Sequence, residues 1–339
     1  MPMIPHNLPT LGLEEQIAAA RVLESGWVAQ GPEVEAFENE LCDFFNLARG
    51  HSLAVSSGSA ALYLALWVLG GHNKRIGLPV YACSALRNAV GLVNGQCVYL
   101  DCAEGSPNLD FSAANRADID ILIAPSMFGI PVDIPATRNF KIIEDIAQSL
   151  GAMVSGNRIG LRGDLGICSF YATKMITSGG QGGAVISNDK VLIDKLKDYR
   201  QFDCRADAVF RFNFQMTDVQ AAIGRIQLKK YPLFMHQREQ IFQIYRAACL
   251  NLLDTKSINV HPVRYRAVMQ SDDPQRIIQN LKKHSFQAII PVEKRELLDL
   301  TRNYPAAMNL TATTVSLPCY PNLTEKEALL IVMKIKDLS

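Results

Sequence analysis

Between about residues 53 and 190 the chain alternates short β-branched apolar runs with helical or loop segments. That alternation constrains the fold more than any other feature, because it is the pattern of an α/β layered domain. Seven runs qualify as strands: LAVSS from Leu53, RIGLPV from Arg75, CVYLD from Cys97, DILIAP from Asp120, KIIED from Lys141, LGICSF from Leu165 and AVISN from Ala184. Most are nearly continuous in apolar residues and end in small or acidic ones, as strands covered on both faces do when ligand groups gather at their carboxyl ends. Only a Gly- and Ser-rich stretch, residues 171–183, separates the last two runs. A parallel connection needs a packed crossover, usually a helix, so the seventh strand is expected to be antiparallel and the sheet mixed.

After Asn188 helical periodicity takes over, with Thr217 and Asp218 as caps for VQAAIGRIQLKK. Pro232 is expected to interrupt this helix before a second one running through Arg246. From about Asn259 a smaller α/β unit follows, with RYRAVMQ and FQAII as strands, PQRIIQNLKKH as a helix and TEKEALLIVMKIKDL as a closing amphipathic helix. The expected division is a large domain over residues 1–230, whose first 40 residues lie near the site, and a small one over 231–339.

Composition removes several classes of function. Lys+Arg 34 against Asp+Glu 33 leaves a net charge of +1, with no global attraction to phosphate backbones, so neither nucleic acid nor membrane is an expected partner. Eight cysteines, with no C-x-x-C pair, read as reduced thiols, and the six dispersed histidines lack metal-ligand spacing. The first residues, MPMIPHNLPTLGLEE, have neither the basic nor the apolar region of a signal peptide, and a cytoplasmic location is expected.

Three segments carry candidate chemistry. Ser56-Ser57-Gly58-Ser59-Ala60 joins a strand to the apolar helix AALYLALWVL. A serine cap, a glycine and the free N–H groups of a helix N-terminus together make an anion site suited to phosphate, though an ordinary capped helix has the same residues. Glu144-Asp145 closes the KIIED strand, where a buried acid needs a cation or donor; a protonated heterocycle would serve, and so would the following turn. Lys174 follows SFYAT and precedes the glycine loop 179–183, a position that suits a nucleophilic amine for Schiff-base chemistry as well as a solvated lysine. In conjunction, an anion cradle, an acid for a pyridinium proton and an imine-forming amine are what pyridoxal phosphate needs. The P-loop, the G-x-G-x-x-G dinucleotide fingerprint after the first strand and the G-x-S-x-G elbow are all missing.

At these residues the chain resembles the DegT-type sugar aminotransferases, a branch of the fold type I pyridoxal-phosphate enzymes. The resemblance runs through SGWVAQGPEVEAFE, SSGSAAL, PVYACSALRNAV, APSMFGIPVD, IIEDIAQSLGA, SFYATK, GGQGGAVISND, FNFQMTDVQAAIGRIQL and VSLPCYPNLTEKE, in order and over most of the chain. It implies a large domain with a seven-stranded mixed sheet flanked by helices, and a smaller C-terminal α/β domain. It also implies that Lys174 forms the imine with pyridoxal 5'-phosphate, that Asp145 pairs with the pyridine nitrogen and that Gln148 lies near the ring's phenolic oxygen. Gly58, Ser59 and Ser169 are implied as phosphate ligands, with Asn213 reaching the phosphate from the neighbouring subunit of a homodimer. The position of the family's stacking aromatic falls on Cys83.

Further departures are neutral Gln181 in place of the acid of G-E-G-G, Gln215 in place of an arginine, and a shortened Y-P-x-P-L-H stretch around Pro291. The expected activity is transamination of a keto sugar, nucleotide-linked, with glutamate or a similar amino acid as donor. A pyridoxal-phosphate enzyme of different outcome, such as a sugar dehydratase or an aminase of a non-nucleotide ketone, and an inactive cofactor-binding regulatory subunit are the alternatives. Retention of Lys174 and Asp145 favours transamination. Trp27 and the loop 82–87 are candidate substrate neighbours.

Overall fold

Seven strands form one sheet in the computed structural model, which describes residues 3–135 and 138–338. They are β1 (Ser52–Val55), β2 (Arg75–Pro79), β3 (Gln96–Leu100), β4 (Ile121–Pro125), β5 (Lys141–Asp145), β6 (Leu165–Ser169) and β7 (Gly183–Ile186). Each expected run coincides with one of them to within two or three residues at its ends. The spatial order is β1-β7-β6-β5-β4-β2-β3. β7 is antiparallel to both neighbours, β1 and β6, while the other pairings are parallel, so the sheet is mixed for the reason its short connection implies. Of the two edge strands, β1 is buried throughout whereas β3 is half-exposed rather than covered on both faces.

The period-2 alternation of strands distributes the core over both sheet faces. Leu53, Val55, Ile143, Ile167 and Val185 pack with the Gly58–Val68 helix on one side. Ala54, Cys168, Ala184 and Ile186 pack with the Pro32–Phe44 helix and the start of the long Asp218–Ala247 helix on the other. The Gly58–Val68 helix is apolar all round and its run Ala60–Leu66 is buried, which only a fully enclosed helix tolerates.

Pro232 does not divide the helix it occupies: Asp218–Ala247 is a single 30-residue helix. The proline ring faces solvent, and buried residues on both sides of it, Leu228, Tyr231 and Phe234 before and around it, Ile241, Phe242 and Tyr245 after it, anchor the two halves in different cores. Such packing outweighs a penalty of about 3 kcal/mol for an interior proline.

In the C-terminal region β8 (Ala267–Gln270) and β9 (Thr314–Leu317) pair antiparallel, covered by the Pro274–Lys283 and Glu325–Lys336 helices. FQAII is not a strand. Its N–H groups are divided between partners, Gln287 donating to the Ile4 carbonyl and Ile289 to that of Ser316, so it makes isolated bridges only. The chain's first described residues are thereby fastened to this region, and Ile4 packs against its core. All eight cysteines are free. Among the described residues no helix is long and apolar enough to cross a membrane.

Candidate active site

Parallel strands β1, β5 and β6 end on one edge of the sheet, and the three candidate segments follow from those ends. At β7, Gly183 pairs with Val55 on one side and Ser169 on the other, drawing the first and third segments together. A Cβ on Gly183 would stand 2.4 Å from the Ser57 carbonyl oxygen. Only glycine admits that approach.

Ser57 caps the Gly58–Val68 helix, its Oγ accepting the Ala60 N–H at 3.1 Å. The helix N-terminus so formed presents Gly58 and Ser59 to a cavity of about 360 Å³, also lined by Cys83, Asp145, Ser169, Tyr171, Lys174 and Gln181. Gly58 lies against Ser169: a Cβ there would come within 2.9 Å of the serine Cβ and 3.0 Å of its Oγ. Free N–H groups, the positive end of the helix dipole and two hydroxyls therefore converge on one end of the cavity, an arrangement suited to an anion without a dedicated cation.

The two acids at the end of β5 have separate tasks, since successive strand side chains point to opposite faces. Glu144 accepts the N–H groups of Gly160 at 2.9 Å, Gly163 at 2.6 Å and Arg162, pinning the loop that leads into β6. Asp145 accepts only the Ala147 N–H, at 2.9 Å, among the described residues, and its carboxyl faces the cavity. Burial pushes the Asp145 carboxyl above the usual carboxylate range, opposed by the Ala147 N–H and by the charge of Lys174. An acid so placed gains most from a cationic N–H donor arriving with a ligand.

Lys174 sits on a tight turn beyond β6, its N–H bonded to the Tyr171 carbonyl at 3.0 Å. The loop returns to the sheet through Ala172 N–H to Gly180 O at 3.0 Å and through Gly179 and Gly180 at φ +73° and +131°, conformations that favour glycine. The N-terminal segment closes over it, Asn7 donating to the Thr173 carbonyl at 3.1 Å. The Lys174 ammonium has no ion-pair partner among the described residues, and its Nζ lies 5.4 Å from the centre of the Tyr265 ring. Burial acts to raise the Tyr265 phenol, but the charges of Lys174, Arg266 and Arg238 and the Thr173 hydroxyl hold it below its usual value.

Lys174 and Cys83 also border a second cavity, of about 400 Å³, lined by Arg87, Phe128, Gln148, Tyr265, Arg266 and Arg295 among others. Gln148 belongs to this second cavity, its Oε1 accepting the Phe128 N–H at 2.9 Å. The expected loop 82–87 is instead the entry to a helix, Ser84–Leu92, and its Ala82, Ser84 and Arg87 line this cavity as well, whereas Trp27 lines neither cavity. The Trp27 indole is exposed and donates to the Gln30 carbonyl, bracing the turn that packs on Asp218. Asn213 lines neither cavity; it is exposed, with its Oδ1 accepting the Gln215 N–H at 3.0 Å. Tyr265 and Arg266 were hidden inside a run read only as a strand; the one available signal was the pair of cationic residues interrupting RYRAV.

The cavity, the anion-binding helix end, the unpaired acid and the free amine fit pyridoxal 5'-phosphate in size and donor set. A family model described as the DegT/DnrJ/EryC1/StrS aminotransferase family matches residues 9–336. The chain is 25% identical to a GDP-perosamine synthase of Escherichia coli O157:H7, covering 99% of each. It is 27% identical to a dTDP-3-amino-3,4,6-trideoxy-alpha-D-glucose transaminase of Streptomyces venezuelae, covering 96% of this chain and 92% of that one. Its fold matches that of Spr1654 from Streptococcus pneumoniae in the PLP form, with a TM-score of 0.90 at 22% identity over 99% of this chain and 98% of that one. The chain belongs to the DegT/DnrJ/EryC1/StrS aminotransferase family and is a pyridoxal-phosphate-dependent transaminase.

Proposed function

We propose that this enzyme transfers an amino group from an amino acid such as glutamate to a nucleotide-linked keto sugar, with Lys174 and Asp145 as catalytic residues. The observation that carries the reading is the meeting of Lys174 with two adjoining cavities, one suited to the cofactor and one open to a substrate. When bound, pyridoxal 5'-phosphate supplies a ring that delocalises the electron pair left by a breaking Cα–H bond. Gly58, Ser59 and Ser169 hold its phosphate, and Asp145 holds the proton on its ring nitrogen. The Lys174 amine would carry the proton from Cα of the donor to the cofactor carbon that bears the transferred nitrogen, and on the sugar would run the same transfer in reverse. Gln148 orients the ring's oxygen side, and Cys83 lies where a stacking ring would, with a smaller, polarizable sulfur. The domain division falls in the long helix near residue 230, with Ile4 and His6 attached to the smaller unit; residues 1, 2 and 339 lie outside the described residues. The site opens to the cytoplasm in this reading.

An absorption titration with glutamate, followed by a panel of nucleotide keto sugars, tests it. The cofactor band should shift on addition of the donor and return on addition of the right sugar. A spectrum indifferent to every amino donor would instead favour the inactive regulatory subunit.

Gly58→Ala tests the phosphate cradle. The added methyl must displace Ser169, so cofactor affinity should weaken about tenfold with the fold retained, the scale of one lost charge-assisted hydrogen bond. Gly91→Ala, on a helix with nothing within 4 Å of the added Cβ, is the control and should bind the cofactor normally.

Asn213 is proposed to complete the partner's site in a homodimer. It is supported by its absence from the lining of its own chain's cavities and by its place in an exposed segment with apolar surface at Val209, Phe210 (96% exposed) and Phe212. A mixed dimer of Lys174→Ala and Asn213→Ala chains should keep roughly half of the wild-type activity, because one site carries both lesions and the other none. If the mixed dimer is as inactive as the singly mutated homodimers, Asn213 acts within its own chain.

A further inference from the structure

The second cavity holds a charge imbalance that the chemistry above does not use. Arg266 forms neither an ion pair nor a side-chain hydrogen bond among the described residues, and its Nη1 is fully buried without a partner. This is unlike the other arginines with a buried unpartnered nitrogen: Arg162, Arg211 and Arg238 all make further hydrogen bonds, to the Ile134 carbonyl, the Asp207 carboxylate and the Cys319 carbonyl. Arg266 is half-buried, so solvent reaches part of its guanidinium, but the buried Nη1 has lost its water without gaining an acceptor, and a ligand oxygen would supply one.

The neighbours of Arg266 do not supply it. His6 is held neutral, its pKa pushed down to about 3 by burial and then by the Arg266 charge, and its Nε2 is occupied with Ser316 Oγ at 2.8 Å. Glu296, which also lines the cavity, accepts the Glu293 N–H at 2.7 Å and forms no ion pair among the described residues. Arg87 lines the same cavity with only a long contact, 3.4 Å, to the Leu298 carbonyl, and Arg295 adds a third guanidinium, paired at the surface with Glu293. Three arginines and Lys174 thus face one carboxylate in a space of about 400 Å³.

We propose that Arg266, assisted by Arg87, seats an oxyanion of the reacting substrate, a carboxylate or a phosphate group, beside the Lys174 amine. The planar guanidinium binds either group through paired N–H donors, which a lysine does not reproduce. With Gln215 neutral, Arg266 is a cation already at the substrate cavity. The proposal deepens the aminotransferase reading, since a carboxylate belongs to the amino donor or its keto acid, whereas a phosphate belongs to the sugar nucleotide.

Calorimetric titration of the cofactor-loaded enzyme with unreactive anions tests the site, because the cofactor's own phosphate position is then filled. The probes are succinate and inorganic phosphate. Arg266→Gln should weaken binding of at least one probe tenfold or more, with Arg266→Lys only partly restoring it and the cofactor spectrum and melting temperature unchanged. Loss confined to succinate assigns the site to the amino donor's carboxylate; loss confined to phosphate assigns it to the sugar nucleotide; loss of both supports a seat that reads charge. Should Arg266→Gln fail to fold, the exposed Arg87→Gln variant carries the same expectation at a few-fold level. Wild-type enzyme that binds neither probe at millimolar concentration, or folded variants that bind both as wild type does, would overturn the proposal. The probes undergo no amino transfer, so this outcome stands apart from whether a keto sugar proves to be the substrate.

Discussion

Lys174→Ala should lose the pyridoxyl label that borohydride reduction fixes in the wild-type protein, and turnover should fall roughly 10²- to 10⁴-fold from the missing proton transfer alone. Lys174 is the only lysine among the residues lining the two cavities, so no neighbour is placed to take over covalent attachment. Lys174→Arg separates charge from nucleophilicity: it keeps a cation near Tyr265 but cannot lose its proton at working pH, so it should be as unlabelled as the alanine variant. Peptide mapping after reduction reads both. A label found on another lysine, or undiminished in Lys174→Ala, would remove this residue from the chemistry.

The parts of the fold that were legible beforehand are those where local chemistry and burial agree. β5 was read over the same residues the structure shows, Lys141–Asp145, because a fully enclosed parallel strand has an uninterrupted apolar run and an abrupt acidic end. The antiparallel β7 was legible from the length and glycine content of one loop. FQAII, by contrast, has strand composition but borrows its partners from Ile4 and Ser316, hundreds of residues apart, and no local pattern reports that. Pro232 illustrates the opposite error, where a strong local signal is overruled by packing on both flanks.

The candidate site divides in the same way. Ser57, Gly58, Asp145, Ser169 and Lys174 sit at strand ends and turns, where residue type follows from backbone geometry and charge, and the structure gathers them around one cavity. Arg266 and Tyr265 come from the segment leading into β8, 91 or more residues beyond Lys174 in the sequence, and reach the site only because that region folds back onto the first. Asn213 was found through resemblance alone, and it is not among the residues that line either cavity.

Asp145→Asn should leave the pyridoxyl label on Lys174 intact while slowing half-transamination with glutamate by roughly a hundredfold or more, the scale expected when a preorganised charge-assisted hydrogen bond is removed. The amide preserves the shape of the side chain, and its oxygen can still accept the Ala147 N–H, so the turn after β5 survives. It can no longer hold a proton on a ring nitrogen by charge. In the cofactor-free protein the same substitution should have the opposite sign for stability. Burial raises the folded-state pKa of Asp145 above its unfolded value, so its contribution is fully present below the ordinary carboxylate range, near pH 3.9 or less, and is lost as pH rises through the raised value. The asparagine variant has no such loss. Its melting temperature without cofactor should therefore equal or exceed that of the wild type, by a margin that widens from about pH 4 toward neutrality. Adding pyridoxal 5'-phosphate should shrink or reverse the margin, since a cationic ring nitrogen stabilises the carboxylate and not the amide. A structural acid would give the reverse pattern, destabilised without cofactor and indifferent to it, and normal half-transamination in a stable variant would exclude Asp145 as the nitrogen's partner.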